Sequence, residues 1–329
     1  MAEAVDSSGP TAIPTIRLDS EEADAARLLR AACVDVGFFY LEGHGMDDSE
    51  QFRRVLEESR KLFNLPLLEK QALSDKVMSR GYTAMQEETL DPSVQSEGDT
   101  KEGFYIGWDI PQSDPRHDPA KLRGPNQWPS KDILPLFQST MEEYHSKMSA
   151  IAFRVVQLLA LALGLDSSYF DSFFQDDRSI ATLRLLHYDK RQSKPEDGVY
   201  ACGAHSDYGM ITLLLTDEQS GLQIFHDGQW IDVPPRPSAF VVNLGDMLER
   251  WTNGLMKSTK HRVLTSGENE RYSIPFFYDP AFETVVKCLD VCTGADNPPR
   301  FPPTTAGEHL VGKYHETHAD FDPEEKLST

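Results

Sequence analysis

A series of short β-rich runs crowds the second half of the chain, at residues 181–188, 211–215, 222–225, 230–233, 239–244, 261–264 and 272–278. Turns rich in Gly, Pro, Asp and Asn separate them. Many short strands with such punctuation predict a sandwich or barrel rather than a parallel α/β sheet. Residues 245–251 are the one helical interruption.

The first half reads differently. Residues 13–18 alternate as a short edge strand, where an initial proline is tolerated. Asp19 or Ser20 is placed to cap the helix that follows, with Glu21 and Glu22 favourable in its first turn. Ala26, Leu29, Ala32 and Cys33 keep helical spacing, and Gly37 ends the helix. Residues 38–41 form a compact buried strand closed by Gly43-His44-Gly45, in which His44 reads as a turn histidine. A second helix is expected over 48–63. Beyond Pro66 the chain is polar and irregular through 80–82 and 86–90, until 101–108 again reads as a strand. Residues 109–129 hold many prolines and little periodicity, the mark of a long surface loop. The longest helical signal, 133–163, carries Ile151, Val155, Leu158, Leu159 and Ala162 as an apolar stripe, so it is expected to lie across a sheet as a scaffold. Gly164 stops it, and a C-terminal helix opens near 305–309. There is no internal repeat and no obvious linker. The expected organisation is a flexible tail over 1–12 and one unit over 13–329, divided into an N-terminal region (13–130) and a scaffold helix, β core and C-terminal helix (131–329).

Composition narrows the partners. A formal charge of −21 on 329 residues repels nucleic acid and anionic membranes, and it suits the steering of a small cation. With 39% hydrophobic and 26% charged residues the chain reads as soluble and globular. No apolar run is long enough to span a bilayer, and the first residues lack the pattern of a secretory signal. Cys33, Cys202, Cys288 and Cys292 are few and scattered, which points to free thiols in a reducing, cytoplasmic setting rather than a zinc site. A monomer is compatible with all of this.

Chemistry concentrates in Gly203-Ala204-His205-Ser206-Asp207-Tyr208-Gly209. His205 and Asp207 lie two apart, so on an extended backbone both project to one face. His261 sits in another strand-like run. Two nitrogens and one carboxylate oxygen on one side of a metal leave its other positions open, the arrangement of non-haem Fe(II) oxygenases. Space then remains for a chelating 2-oxo acid and O2. Arg271 and Ser273, again two apart on a strand, offer paired donors and a hydroxyl to the far carboxylate of such an acid.

Taken in order, His205-Ser206-Asp207, His261 and Arg271-Tyr272-Ser273 resemble the plant-type Fe(II)/2-oxoglutarate-dependent dioxygenases, the group that looks like isopenicillin N synthase. The resemblance extends to Ile13-Pro14-Thr15-Ile16, Gly37-Phe38-Phe39-Tyr40 with His44-Gly45, Gly124-Pro125-Asn126-Gln127-Trp128-Pro129, and Asn243-Leu244-Gly245-Asp246. It implies a double-stranded β-helix, a distorted jelly roll, flanked by helices. It implies His205, Asp207 and His261 as iron ligands, Arg271 and Ser273 as holders of 2-oxoglutarate, and ascorbate as an activator. No catalytic residue beyond the iron site is implied. Residues 184–189 fall where many relatives carry Asn-Tyr-Tyr-Pro; Tyr188 matches the second tyrosine, whereas Leu186 and Asp189 replace the asparagine and the proline. Tyr188 and Arg184 are further co-substrate candidates.

For the substrate, Glu87 and Thr89 together with Tyr208 are similar to the arginine-binding Glu, Thr and Tyr of bacterial ethylene-forming enzymes. The chain as a whole looks closer to the homoarginine 6-hydroxylases. The resemblance therefore implies hydroxylation of a free guanidino amino acid, homoarginine or arginine. The competing expectation within the same chemistry is oxidation of a plant hormone or flavonoid-type molecule. Outside it stand a zinc hydrolase and a catalytically silent binding module.

Overall fold

The computed structural model of the protein describes residues 13–46, 49–75, 80–174 and 178–317, so the tail expected over 1–12 lies outside the described residues. The chain opens with β1 (Thr15–Arg17), α1 (Glu22–Asp35), β2 (Phe38–Glu42), α2 (Ser49–Phe63) and α3 (Leu67–Gln71). Then come β3 (Ser74–Asp75), β4 (Arg80–Thr83), β5 (Lys101–Ile106) and the long α4 (Phe137–Ala162). The β core is β6 (Ser179–Tyr188), β7 (Cys202–His205), β8 (Ile211–Thr216), β9 (Leu222–His226), β10 (Gln229–Asp232), β11 (Phe240–Leu244), α5 (Asp246–Trp251), β12 (His261–Val263) and β13 (Arg271–Ala281). A ribbon of β14 (Val285–Val286) and β15 (Thr304–Thr305) leads into α6 (Ala306–Thr317).

A nine-stranded sheet in the order β1-β2-β11-β8-β13-β6-β5-β4-β3 faces a four-stranded sheet in the order β10-β9-β12-β7. The result is the expected jelly roll with flanking helices. Alternation along each central strand sorts its side chains. Leu183 and Leu185 of β6 and Ile274 and Phe276 of β13 join Tyr144, Met148, Val155 and Leu159 of α4 in one buried cluster. Leu186 and Tyr188, one residue out of phase, join Leu222, Ile224 and Val263 of the small sheet in another. The helical layer thus backs the large sheet, and the space between the sheets is left to the other face.

Several elements depart from expectation. The scaffold helix starts at Phe137 rather than 133, because Pro135 disfavours helical geometry at the residue before it. The N-cap of α1 is Glu21, without a side-chain cap; Asp19 instead pairs with Arg17 at 2.7 Å, and the Ser20 hydroxyl donates to the Arg17 carbonyl. The supposedly irregular stretch beyond Pro66 contains α3, β3 and β4, the two strands extending the large sheet at its edge. His44 is a buried turn histidine, its Nδ1 accepting from the Met46 N–H and its Nε2 3.1 Å from the Ser238 carbonyl. All four cysteines are free and buried. Among the described residues no helix is long and apolar enough to cross a membrane.

Candidate metal centre and its two pockets

His205 closes β7 and His261 opens β12, and the two are direct partners in that antiparallel pair. Directly opposed residues bring their Cβ atoms close together, so the pairing register alone sets two imidazoles side by side. Asp207 is not on a strand, as its spacing from His205 suggested. It lies in the turn towards β8, pinned by the Asp246 N–H donating to its carbonyl at 2.8 Å. The Nε2 atoms of both histidines are 3.6 Å from the same oxygen, Asp207 Oδ1. Among the described residues this is the one group of His, Cys, Asp and Glu whose ligating atoms gather within 4.8 Å.

The far side of each group is already committed. His205 Nδ1 donates to the Gly203 carbonyl at 2.8 Å and His261 Nδ1 to the Thr259 carbonyl at 3.2 Å. Asp207 Oδ2 accepts from Asn243 Nδ2 at 2.7 Å and from the Thr212 hydroxyl. That leaves two Nε2 lone pairs and Oδ1 converging on one point, the orientation that outer hydrogen bonds impose on metal ligands. Burial alone would push the Asp207 carboxyl up; the His261 and His205 imidazoles and the Asn243 amide overcome it and hold the group well below the usual carboxylate range. Burial, helped by the neighbouring His205, holds His261 down at about 4, neutral and able to ligate at physiological pH. Two imidazoles and one carboxylate, with other positions open, fit Fe(II).

On one side of the triad, a pocket runs to Arg271 between the sheets. Arg271 is 2% exposed and sits over the Tyr188 ring at 4.9 Å, yet its Nε and Nη1 have no hydrogen-bond partner. Buried unpaired guanidinium donors are costly, so this arrangement calls for an anion. Ser273 and Tyr188 line the same pocket, both deeply buried. Cross-strand register explains the grouping: Arg271 is opposite Tyr188, and Tyr188 is opposite Lys101 on β5. The triad, Arg271, Ser273 and Tyr188 are therefore brought together in one cavity.

Arg184 lines the same pocket, its Nε without a hydrogen-bond partner and its Nη atoms engaged. Its guanidinium makes a two-pronged pair with Glu88, at 2.8 and 3.3 Å, and lies 4.4 Å from the Tyr105 ring centre. Glu88 is also 2.8 Å from Lys101 Nζ, which reaches Asp99 in turn. Asp99 Oδ1 accepts the Gly203 N–H at 2.9 Å, tying this buried chain of charges to the strand that carries His205. Sequence reading missed Lys101, Glu88 and Asp99. A lysine at the head of a strand that ends in Phe104-Tyr105-Ile106, in phase with Tyr105, was the signal available.

On the other side of Asp207 a second pocket is lined by Glu88, Tyr105, Tyr208, Asp279, Leu310 and Tyr314. Tyr208 falls at the expected place. Glu87 and Thr89 do not. Glu87 is exposed, its carboxylate accepting the Ala84 N–H at 2.8 Å, and Thr89 is outside the lining. Gln86 takes a positive φ of 62°, a left-handed turn that swings Glu87 outward and leaves the next acid, Glu88, facing in. Asp279 was also missed, although period two from Arg271 and Ser273 puts it on the same strand face. Helix α6 closes this end, with His309 Nε2 2.8 Å from the Tyr208 carbonyl. A hollow of about 810 Å³ on the outside, near Tyr169, Trp251 and Val285, contains none of these groups.

The sequence matches two family models: the 2OG-Fe(II) oxygenase superfamily over residues 179–280, and the non-haem dioxygenase in morphine synthesis N-terminal region over 13–131. The chain is 39% identical to the 2-oxoglutarate-Fe(II) type oxidoreductase hxnY of Emericella nidulans, over 90% of this chain and 86% of that one. It is 33% identical to Kihadalactone A synthase LFS of Citrus sinensis, over 90% and 89%. In three dimensions it is similar to a full-length Neurospora crassa protein crystallised in complex with alpha-KG: TM-score 0.81, 30% identity, 95% of this chain and 98% of that one covered. A converging His-Asp-His set, a buried guanidinium awaiting an anion and these likenesses agree, and the chain belongs to the 2OG-Fe(II) oxygenase superfamily, an Fe(II)- and 2-oxoglutarate-dependent enzyme.

Proposed function

We propose that the enzyme hydroxylates a free guanidino amino acid, homoarginine or arginine. The observation that carries this reading is the lining of the second pocket, directly beside Asp207: the Asp279 carboxylate among three tyrosines, with Glu88 already paired to Arg184. Fe(II) and 2-oxoglutarate, when bound with O2, supply oxidative decarboxylation to succinate and CO2 coupled to insertion of one oxygen atom into a substrate C–H bond. His205, Asp207 and His261 hold the iron. Arg271 and Ser273 seat the distal carboxylate of 2-oxoglutarate, Arg271 with the paired donors that match it, while the Tyr188 ring packs beneath the guanidinium. Arg184 and Lys101 pair with Glu88 at the boundary between the pockets, and Tyr208 offers the substrate an aromatic face. Tyr105, Leu310 and Tyr314 exclude water.

Recognition of a cation thus moves from Glu87 and Thr89 to the acids that line the pocket. A reducing cytoplasmic setting, a monomer and stimulation by ascorbate complete the reading. The second reading, oxidation of a hormone- or flavonoid-type molecule, is favoured by Leu90, Phe277 and Leu310 in the same lining and by the name of the Citrus sinensis relative. Succinate release in the presence of iron, ascorbate and a panel of substrates decides between them. Homoarginine or arginine is expected to raise succinate several-fold above the uncoupled rate. Stimulation by apolar candidates alone overturns the guanidino reading.

A further inference from the structure

Residues 271, 273, 275, 277 and 279 of β13 all line the cavity, so a single strand face runs from one pocket to the other. Arg271 stands at one end of that face and Asp279 at the other, eight residues or roughly 27 Å of strand away. The charges between them balance locally. Arg184 and Lys101 offset Glu88 and Asp99. Along this face two buried ionisable groups are left over: the Arg271 guanidinium, which would take the distal carboxylate of 2-oxoglutarate, and the Asp279 carboxyl.

Asp279 is 3% exposed, and no ion pair among the described residues reaches it. Its carboxylate accepts the Met210 N–H, with Gly209 packed so closely that a Cβ there would meet Asp279 Oδ1 at 2.0 Å. The glycine therefore leaves room for a carboxylate beside the Asp207 turn. A buried carboxylate without a cation is expensive, and it stays in a folded protein where a partner will arrive.

We infer that Asp279 is the specificity-determining anchor for the positively charged end of the substrate. It matches at the second pocket what Arg271 does for the anion at the first. Burial, with a smaller push from Asp207, raises its carboxyl to about 7, as befits an acid lacking a cation until one binds. The identity of the cation as a guanidinium rests on the function proposed above; the anchor itself requires only a single positive group.

The test is equilibrium binding to Mn(II)-loaded protein with 2-oxoglutarate, using arginine, homoarginine, agmatine, spermidine and citrulline, the last being a neutral isostere of arginine. Wild type is expected to favour arginine or homoarginine over citrulline by at least about tenfold. Asp279→Asn, which keeps an oxygen for Met210, should erase that preference while melting no lower than wild type, and Asp279→Glu should retain part of it. An unchanged preference in Asp279→Asn overturns the anchor and leaves the guanidino reading standing. Binding of agmatine or spermidine but not of the amino acids, still lost in Asp279→Asn, supports the anchor and overturns the guanidino amino acid. No preference of the wild type for any cation overturns the anchor.

Discussion

Each metal-facing atom in this site is aimed by a bond on its opposite side. Asp207 shows it best: two donors on Oδ2, from Asn243 and Thr212, leave only Oδ1 for the metal. Asn243→Ala removes one donor and lets the carboxylate rotate. Metal affinity should fall about 10- to 100-fold, the usual effect of losing an outer partner. Mn(II) titration followed by the signal of the free ion measures it; an unchanged affinity contradicts the role. At this scale the sequence revealed side chains that act through simple spacing. Arg271 with Ser273 could be read because two-residue steps on one strand share a face. His205 with Asp207 was found as a pair although Asp207 reaches the site from the turn after β7 and not from a strand face. Lys101 and Glu88 could not be placed because their partners come from other segments, whereas Asp279 lay within reach of the same two-residue step along β13. The exchange of Glu87 for Glu88 turned on one left-handed residue, Gln86, which no local pattern announces.

The same division holds for whole elements. Strands of the β core were legible because Gly, Pro, Asp and Asn mark their ends, and the observed limits of β6, β8, β9 and β11 differ by a residue or two from expectation. By contrast β3, β4, β7 and α3 are two to five residues long, too short for any periodicity to register. Pairing with neighbours defines the strands among them, β3 with the adjacent β4 and β4 and β7 with strands further along the chain. Helix α4 was legible throughout except at its first turn, where Pro135 decides. Its stripe backs the outer face of the large sheet, away from the cavity. Leu159→Ala, at a fully buried position, should therefore cost roughly 2–5 kcal/mol of stability. Urea unfolding measures that loss, and metal affinity of the still-folded variant should match wild type. A large fall in affinity would mean that α4 shapes the site directly.

Across the whole molecule, charge is the dominant feature, and the inward-facing acids carry a pH signature. The Asp279 carboxyl lies at about 7 when folded against an ordinary 3.8, so the folded chain binds that proton more tightly than the unfolded one. Its stabilising protonated form is fully present below 3.8 and is lost as pH rises through 7. At 1.36 kcal/mol per unit the ionised group then costs roughly 4 kcal/mol. Asp279→Asn should gain on metal-free wild type between pH 4 and 7 and hold a level advantage above. Urea unfolding should show a gain about 3 kcal/mol larger at pH 8 than at pH 5, from the same per-unit cost; an equal gain at both contradicts an unpaired buried acid.

We propose a division of labour in which Asp207, with the two histidines, holds the metal and Arg271 holds the co-substrate. Calorimetric titration of 2-oxoglutarate into Mn(II)-loaded protein tests both halves at once. Arg271→Leu should keep the metal and lose at least about 30-fold in 2-oxoglutarate affinity, as expected for removing one member of a buried charge pair. Asp207→Ala should lose the metal and 2-oxoglutarate binding with it. Wild-type 2-oxoglutarate affinity in Arg271→Leu, or wild-type metal affinity in Asp207→Ala, would contradict it.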